Sequence, residues 1–356
     1  MIARGMQNDV SRISPLTSAI TLAIAIAGAA LGWAINAPVY MLLGPAIAVT
    51  LAGLGGLTTG VDTRLRDLCF LLLGIAVGAG FDADALTAML RWPLAFVFMA
   101  LIIWAILVLC RFMLVRGFGF DPRSAILASA PGHLSFVMAI ATEGGSDVAR
   151  ISITQSVRLL SLTIVVPFVA LAMGIEVSGN VAPQGDQMSL LVIAVLAVLA
   201  SGVGYLFMRW NVPAPLLLGG MAVSALGHVT ELTPGVLPAW LILPAYLVLG
   251  GLIGTRFSGV TLARLTSGLM AGLAITGVAV GLAALGAVPV GLALGMPLAH
   301  VLVAFAPGGF ETMIAMGAVL GVIPGFVAAC HIMRLVVLSF VLPAMLARQR
   351  RKEGAA

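Results

Sequence analysis

Apolar runs about as long as a membrane is thick set the first limit on what this chain can fold into. No charged residue falls between Trp92 and Cys110, or between Gln187 and Met208. A helix rises about 1.5 Å per residue, so about 20 such residues cross the ~30 Å hydrocarbon core of a bilayer. Of the 356 residues, 61% are hydrophobic and only 9% charged, whereas a soluble domain carries roughly 25% charged residues. Segments of ~10 residues with alternating polarity are absent, which argues against an outer-membrane barrel. The sequence therefore specifies an all-α integral membrane protein.

The charge balance is basic, with a formal net charge of +5 and a pI of about 9.7. Basic residues gather at the ends of apolar runs and in the tail Arg348-Gln349-Arg350-Arg351-Lys352. There they anchor and orient helices, and a nucleic-acid partner is not expected. Cys69, Cys110 and Cys330 lie in or beside apolar segments without paired spacing. They read as buried small hydrophobes, with a disulfide or metal site as the lesser alternative. Arg4 and Arg12 followed by LAIAIAGAALGWA resemble a signal peptide. A counterpart of that segment deep inside the chain argues against cleavage.

That counterpart belongs to an internal duplication. Asn36-Ala-Pro-Val-Tyr-Met-Leu-Leu-Gly44 returns as Asn211-Val-Pro-Ala-Pro-Leu-Leu-Leu-Gly219, at an offset of 175 (211 − 36). LLLGIAVGAGF (71–81) returns as LVLGGLIGTRF (247–257), and APGHLSFVMA (130–139) as APGGFETMIA (306–315), both at an offset of 176 (247 − 71 and 306 − 130). The same register places Arg158 on Arg334 and Pro167 on Pro343. Apolar helices resemble one another by chance, but Asn, Pro, Gly and Arg at one offset do not. The expected organisation is a first membrane repeat over 14–174, a second over 187–347 and a cytoplasmic basic tail over 348–356. The pairs Gly74/Gly78 and Gly250/Gly254 form a small-xxx-small spacing for close helix packing.

Each copy reads as five spans and one odd element. The spans fall near 15–35, 38–56, 66–81, 92–112 and 148–173, then near 187–208, 213–229, 236–256, 260–285 and 325–346. The odd elements, about 121–143 and 297–319, are split by Pro131-Gly132 and Pro307-Gly308. Proline removes a backbone donor and glycine loosens the chain, so neither half is a full span. If each odd element dips in and returns, every copy has an odd number of crossings and the second is inverted. With a cytoplasmic N-terminus, and Arg158 and Arg334 set aside as mid-span, fifteen basic residues then lie inside and Arg91 alone outside. If the elements cross fully, the split is eleven to five. The positive-inside rule prefers inversion, and the loop 174–187, which has Glu176 and Asp186 but no Lys or Arg, is then external. Two inverted repeats of five transmembrane helices plus one re-entrant broken helix each are the architecture of secondary transporters. The expected location is a bacterial cytoplasmic membrane.

Charges deep in the apolar runs are few and mark candidate sites. Arg158 lies within ISITQSVRLLSLTIVVPF and Arg334 within FVAACHIMRLVVLSFVLP. Gln155 and His331 each precede their arginine by three residues, on the same helical face. Glu311 is the acid of the second broken element, and Ser135 takes its place in the first. Half-helix N-termini at the breaks favour anions. Two arginines beside them make a cationic pocket for a carboxylate. The candidate substrate-binding set is Pro131, Gly132, Ser135, Gln155, Arg158, Pro307, Gly308, Gly309, Glu311, His331 and Arg334. A structural reading stands beside it: Arg334 pairs with Glu311, and Arg158 bonds loose carbonyls in the first break. Glu311 is either a proton-coupling acid or half of a static salt bridge. His133, His300 and His331 fall nearby, but no HxxxH or ExxH spacing occurs, so no metal or other cofactor is expected.

At PGGFETM, at the paired N-x-P-x-x-x-L-L-G segments and at the Arg-Leu near each repeat's end, the sequence resembles the membrane AbrB family. The resemblance spans essentially the whole chain. The family motif P-G-G-x-x-E-M is met as Pro307-Gly308-Gly309-Phe310-Glu311-Thr312-Met313, with the glutamate one position from its commonest place. It implies a duplicated membrane fold and two labels, transcriptional regulator and ammonia monooxygenase. A monooxygenase needs copper or iron held by clustered His and carboxylates, which this chain lacks, so an enzyme is not expected. A DNA-binding regulator needs a soluble basic module, and the longest charged segment here is the short tail. The expectation is a secondary-transporter-like protein that moves a small organic anion or metabolite, with a membrane-bound regulator acting indirectly on gene expression as the alternative. The partners expected are the lipid bilayer and that small molecule, and a homodimer is compatible with the sequence.

Overall fold

A computed structural model of the chain describes residues 13–81, 92–132, 134–174 and 185–353. Arg4, Arg12, Arg91, His133, Glu176 and the last three residues, which enter the sequence reading, lie outside these. The first half contains α1 (Pro15–Ala34), α2 (Tyr40–Leu54), α3 (Thr63–Gly78), α4 (Pro93–Phe118), α5 (Pro122–Ser129), α6 (Leu134–Glu143) and α7 (Val148–Ala172). The second contains α8 (Leu190–Arg209), α9 (Pro215–Val229), α10 (Ala239–Thr255), α11 (Leu262–Leu294), α12 (Leu298–Phe305), α13 (Phe310–Val319) and α14 (Pro324–Glu353).

The helices repeat with the sequence. α1 and α8 are both 20 residues long and start at an offset of 175 (190 − 15), each capped by a serine, Ser14 or Ser189, accepting from a backbone N–H. α5 and α12 are both 8 residues long and start at an offset of 176 (298 − 122). The turns repeat as well. Asn36 and Asn211 are left-handed at φ 52° and 54°, as are Val39 and Ala214 at 50° and 45°. Asparagine tolerates that conformation, which gives the recurring Asn a local cause.

Six helices, α1, α4, α7, α8, α11 and α14, are long and apolar enough to cross a membrane. Of the other four expected spans, three are shorter than the sequence suggests, and α3 keeps the expected length but starts three residues earlier. α2, α3, α9 and α10 have 15, 16, 15 and 17 residues, or about 23–26 Å at the usual helical rise. Two long helices run further than expected. α4 continues through Arg111 and Arg116, because straight-chain arginine is a good helix former, and α11 keeps Pro289 inside it. Each stops at a left-handed glycine, Gly119 (φ 63°) or Gly295 (φ 65°). α14 runs on through the basic residues from 348 as far as Glu353.

The packing cuts across the two halves. α1, α2 and α3 join α8, α9 and α10 in one body, through α3 against α9 and α2 against α10. α4 to α7 join α11 to α14 in another, with α11 against α4 and α7, and α14 against α4, α12 and α13. Contacts between the bodies are sparse and run mainly from α3 to α13 and α14, and from α2 and α10 to α7.

Inside the first body the contacts are reciprocal. A Cβ on Gly74 of α3 would strike the Leu217 carbonyl of α9, and one on Gly250 of α10 would strike the Leu42 carbonyl of α2. Likewise Gly78 lies against Met221 and Ser224, and Gly254 against Ala46 and Val49. Each contact is the repeat-equivalent of its partner, as in an isologous interface about a two-fold axis. The small-xxx-small pairs are what let these backbones touch.

Candidate functional site

Both broken elements lie in the second body. α5 ends at Ser129 and α6 begins at Leu134, while α12 ends at Phe305 and α13 begins at Phe310. A helix leaves its last carbonyls without partners, and Pro131 and Pro307 offer no N–H to meet them. The next long helix supplies the missing donors. Arg158 on α7 donates through Nη2 to the Ala130 carbonyl at 3.0 Å, and Arg334 on α14 donates through Nη1 to the Ala306 carbonyl at 3.1 Å. Arg334 Nη2 also donates to the Gly308 carbonyl at 2.8 Å. A cation at a helix C-terminus is further favoured by the helix dipole.

These bonds correct the expected pairing of Arg334 with Glu311. Among the described residues the one ion pair is Arg66–Asp67, at 2.7 Å. The Arg334 fork is occupied by two neutral carbonyls that the break leaves open, so it does not turn to the carboxylate. Arg158 does bond a carbonyl of the first break. Arg158 and Arg334 are 2% and 1% exposed, and the Nε of each has no hydrogen-bond partner. Two guanidinium groups therefore sit in the interior with no acid among the described residues in contact.

The two breaks approach one another. A Cβ on Gly132, whose φ is 94°, would lie 3.3 Å from Arg334 Nη2. Gly309 lies against Leu159 of α7. Gln155 and His331 occupy equivalent positions but bond differently. Gln155 donates to the Leu127 carbonyl at 2.9 Å and accepts from Arg158 Nη2 at 3.3 Å. His331 turns Nδ1 to the Val327 carbonyl of its own helix at 2.9 Å, so that nitrogen is the donor, and its Nε2 is buried without a partner.

A cavity of about 200 Å³ opens between the two bodies at this junction. Gly132, Leu134, Gln155, Arg158, Leu159, Gly309, Phe310, Glu311 and Leu335 line it from the second body, and Pro213, Ala214 and Arg256 from the first. Of the expected site residues it gathers Gly132, Gln155, Arg158, Gly309 and Glu311. Pro131, Pro307, Gly308, His331 and Arg334 are buried behind its wall. Ser135 falls in the first turn of α6, and its side chain lies outside the described residues. α13 opens at the cavity with Gly309 as N-cap, which provides no side chain for its first N–H groups. The charges are graded by depth: Arg256 is exposed, Glu311 half-buried and Arg158 buried. Glu311 and Arg256 line the same cavity, yet the two form no ion pair.

In the sequence Arg256 is only one of the fifteen basic residues that the inverted arrangement places inside. The repeat alignment carried the missing signal. Arg256 stands where the first copy has Gly80, and Glu311 where it has Ser135. Both departures from the repeat place a charge at the same cavity.

The fold and site define a multi-pass helical membrane protein, duplicated in sequence, with a polar cavity where its broken helices meet. The family described as "Transition state regulatory protein AbrB" matches residues 41–349. The chain belongs to the AbrB family. It is 27% identical over 305 residues to the uncharacterized protein YhjN of Bacillus subtilis (strain 168), covering 80% of this chain and 78% of that one. It is also 27% identical over 243 residues to a protein of Escherichia coli (strain K12) provisionally named regulator AbrB, covering 65% of this chain and 67% of the other.

Proposed function

We propose that the protein is a secondary-transporter-like carrier of a small organic anion in a bacterial cytoplasmic membrane. Its two repeats are inverted, each with five crossings and one re-entrant broken helix. The observation that carries the proposal is the charged cavity between two sparsely connected helical bodies, reached by a helix break from each repeat. Irregular backbone at membrane depth is tolerated where it lines a cavity or is buried in protein, and broken helices meeting at a repeat interface are how secondary transporters hold substrate. In this reading, alternating access is a displacement of one body against the other. Arg256 moves with the first body, and Arg158 and Glu311 with the second. The chain performs no chemistry on its cargo.

The name of the Escherichia coli relative favours a second reading, a membrane-bound regulator with no transport cycle. Counterflow in liposomes separates the two. Full-length protein is reconstituted with unlabelled small carboxylates inside, and entry of labelled carboxylates is followed. Saturable uptake that Arg158→Gln abolishes supports the carrier. Absence of flux for every carboxylate, from protein that remains monodisperse, leaves the regulator.

A further inference from the structure

Among the described residues the cavity carries three charged side chains, and none of them neutralises another by contact. Arg158 is held in place by the Ala130 carbonyl and Gln155. Arg256 belongs to the other body, at the exposed end of the cavity. Glu311 lines the same space in the first turn of α13 and has no described cation within ion-pair distance. The formal balance is two cations and one anion. In a site of low dielectric, an unmatched charge on a ligand is costly.

A plain dicarboxylate satisfies both arginines but sets two negative charges beside Glu311. A simple amino acid satisfies Glu311 and one arginine, leaving the other bare. We infer that the ligand of this cavity is an amino dicarboxylate, with one carboxylate on Arg158, the second on Arg256 and the ammonium on Glu311. The inference rests on the carrier reading and names its substrate class. Size agrees. About 200 Å³ is below the roughly 300–1,000 Å³ of sites for drug-sized ligands, and suits a metabolite with a backbone of four or five carbons. Such a ligand joins the two bodies, because its carboxylates are held by residues of different bodies.

Calorimetry on the purified full-length protein tests this with three kinds of probe: aspartate and glutamate, succinate and glutarate (no ammonium), and alanine (no second carboxylate). Each charge-assisted bond that a probe is unable to make should weaken its binding about 10- to 100-fold. Aspartate or glutamate should therefore bind at least about tenfold more tightly than the other probes. In Glu311→Gln the preference over succinate should vanish, and in Arg256→Gln the preference over alanine should vanish, with melting temperatures close to the parent's. Succinate or alanine binding as tightly as aspartate overturns the amino dicarboxylate and leaves the anion carrier standing. Failure of every carboxylate to bind overturns both.

Discussion

Replacing Arg334 by Gln, alone and together with Glu311→Gln, distinguishes carbonyl capping from a buried salt bridge. Arg334 makes two charge-assisted bonds, to the Ala306 carbonyl at 3.1 Å and the Gly308 carbonyl at 2.8 Å. Such bonds contribute about 1.5–3 kcal/mol each. Glutamine restores at most one of them, and removing a buried charge that repels the Arg158 guanidinium returns part of the loss. The net cost of Arg334→Gln should be about 2–4 kcal/mol, from the strength of such bonds. Glu311→Gln should cost less than about 1 kcal/mol, because no ion pair is broken and the side chain is half-buried. The two changes should be additive within ~0.5 kcal/mol. Had they been salt-bridge partners, either single change would cost roughly 3–5 kcal/mol and the double change little more. Denaturant unfolding of the four proteins in one detergent, read by tryptophan fluorescence, gives the coupling energy. A coupling of about 2 kcal/mol or more, the size expected of residues in direct contact, would show that Arg334 and Glu311 are paired, and would refute the capping account.

Three further outcomes are expected. Asn36→Cys and Asn211→Cys occupy equivalent exposed turns, so in the inverted arrangement a membrane-impermeant maleimide should label them from opposite sides, and labelling from the same side sinks inversion. The native Cys69, Cys110 and Cys330 are free but buried and should stay unlabelled in the folded protein. Gly74→Ala and Gly250→Ala should each destabilise by several kcal/mol, since the new methyl meets backbone on the facing helix, whereas Gly277→Ala and Gly281→Ala face open space and should stabilise by up to about 1 kcal/mol; equal melting temperatures across the four would count against the seam.

Much of this arrangement is legible because the duplication is written in residues with strict backbone demands. Asn36 and Asn211 recur since both turns are left-handed, and Gly74 and Gly250 recur since both meet a carbonyl. The broken elements are readable from Pro-Gly within apolar runs for a similar reason. The bonding of Arg334 escapes the sequence because Glu311 is near it along the chain and opposite in charge. The stronger local demand comes from carbonyls that Pro307 leaves open, and neutral acceptors carry no mark in a sequence. Arg256 escapes it because its place in one cavity with Glu311 depends on how the two bodies meet, a tertiary register that periodicity does not encode.

The glycine seam brings main chain against main chain where Gly74 of α3 meets Leu217 of α9 and where Gly250 of α10 meets Leu42 of α2. At those two contacts there are no rotamers to exchange, so the helices cannot slip by half a turn there without backbone striking backbone. The four helices it fastens, with α1 and α8 packed on them, must travel, or stand still, as one block. Any motion that opens the cavity is then confined to the thin boundary where α3, α2 and α10 touch α7, α13 and α14, and a cross-link placed there would arrest the molecule while one placed across the seam would go unnoticed.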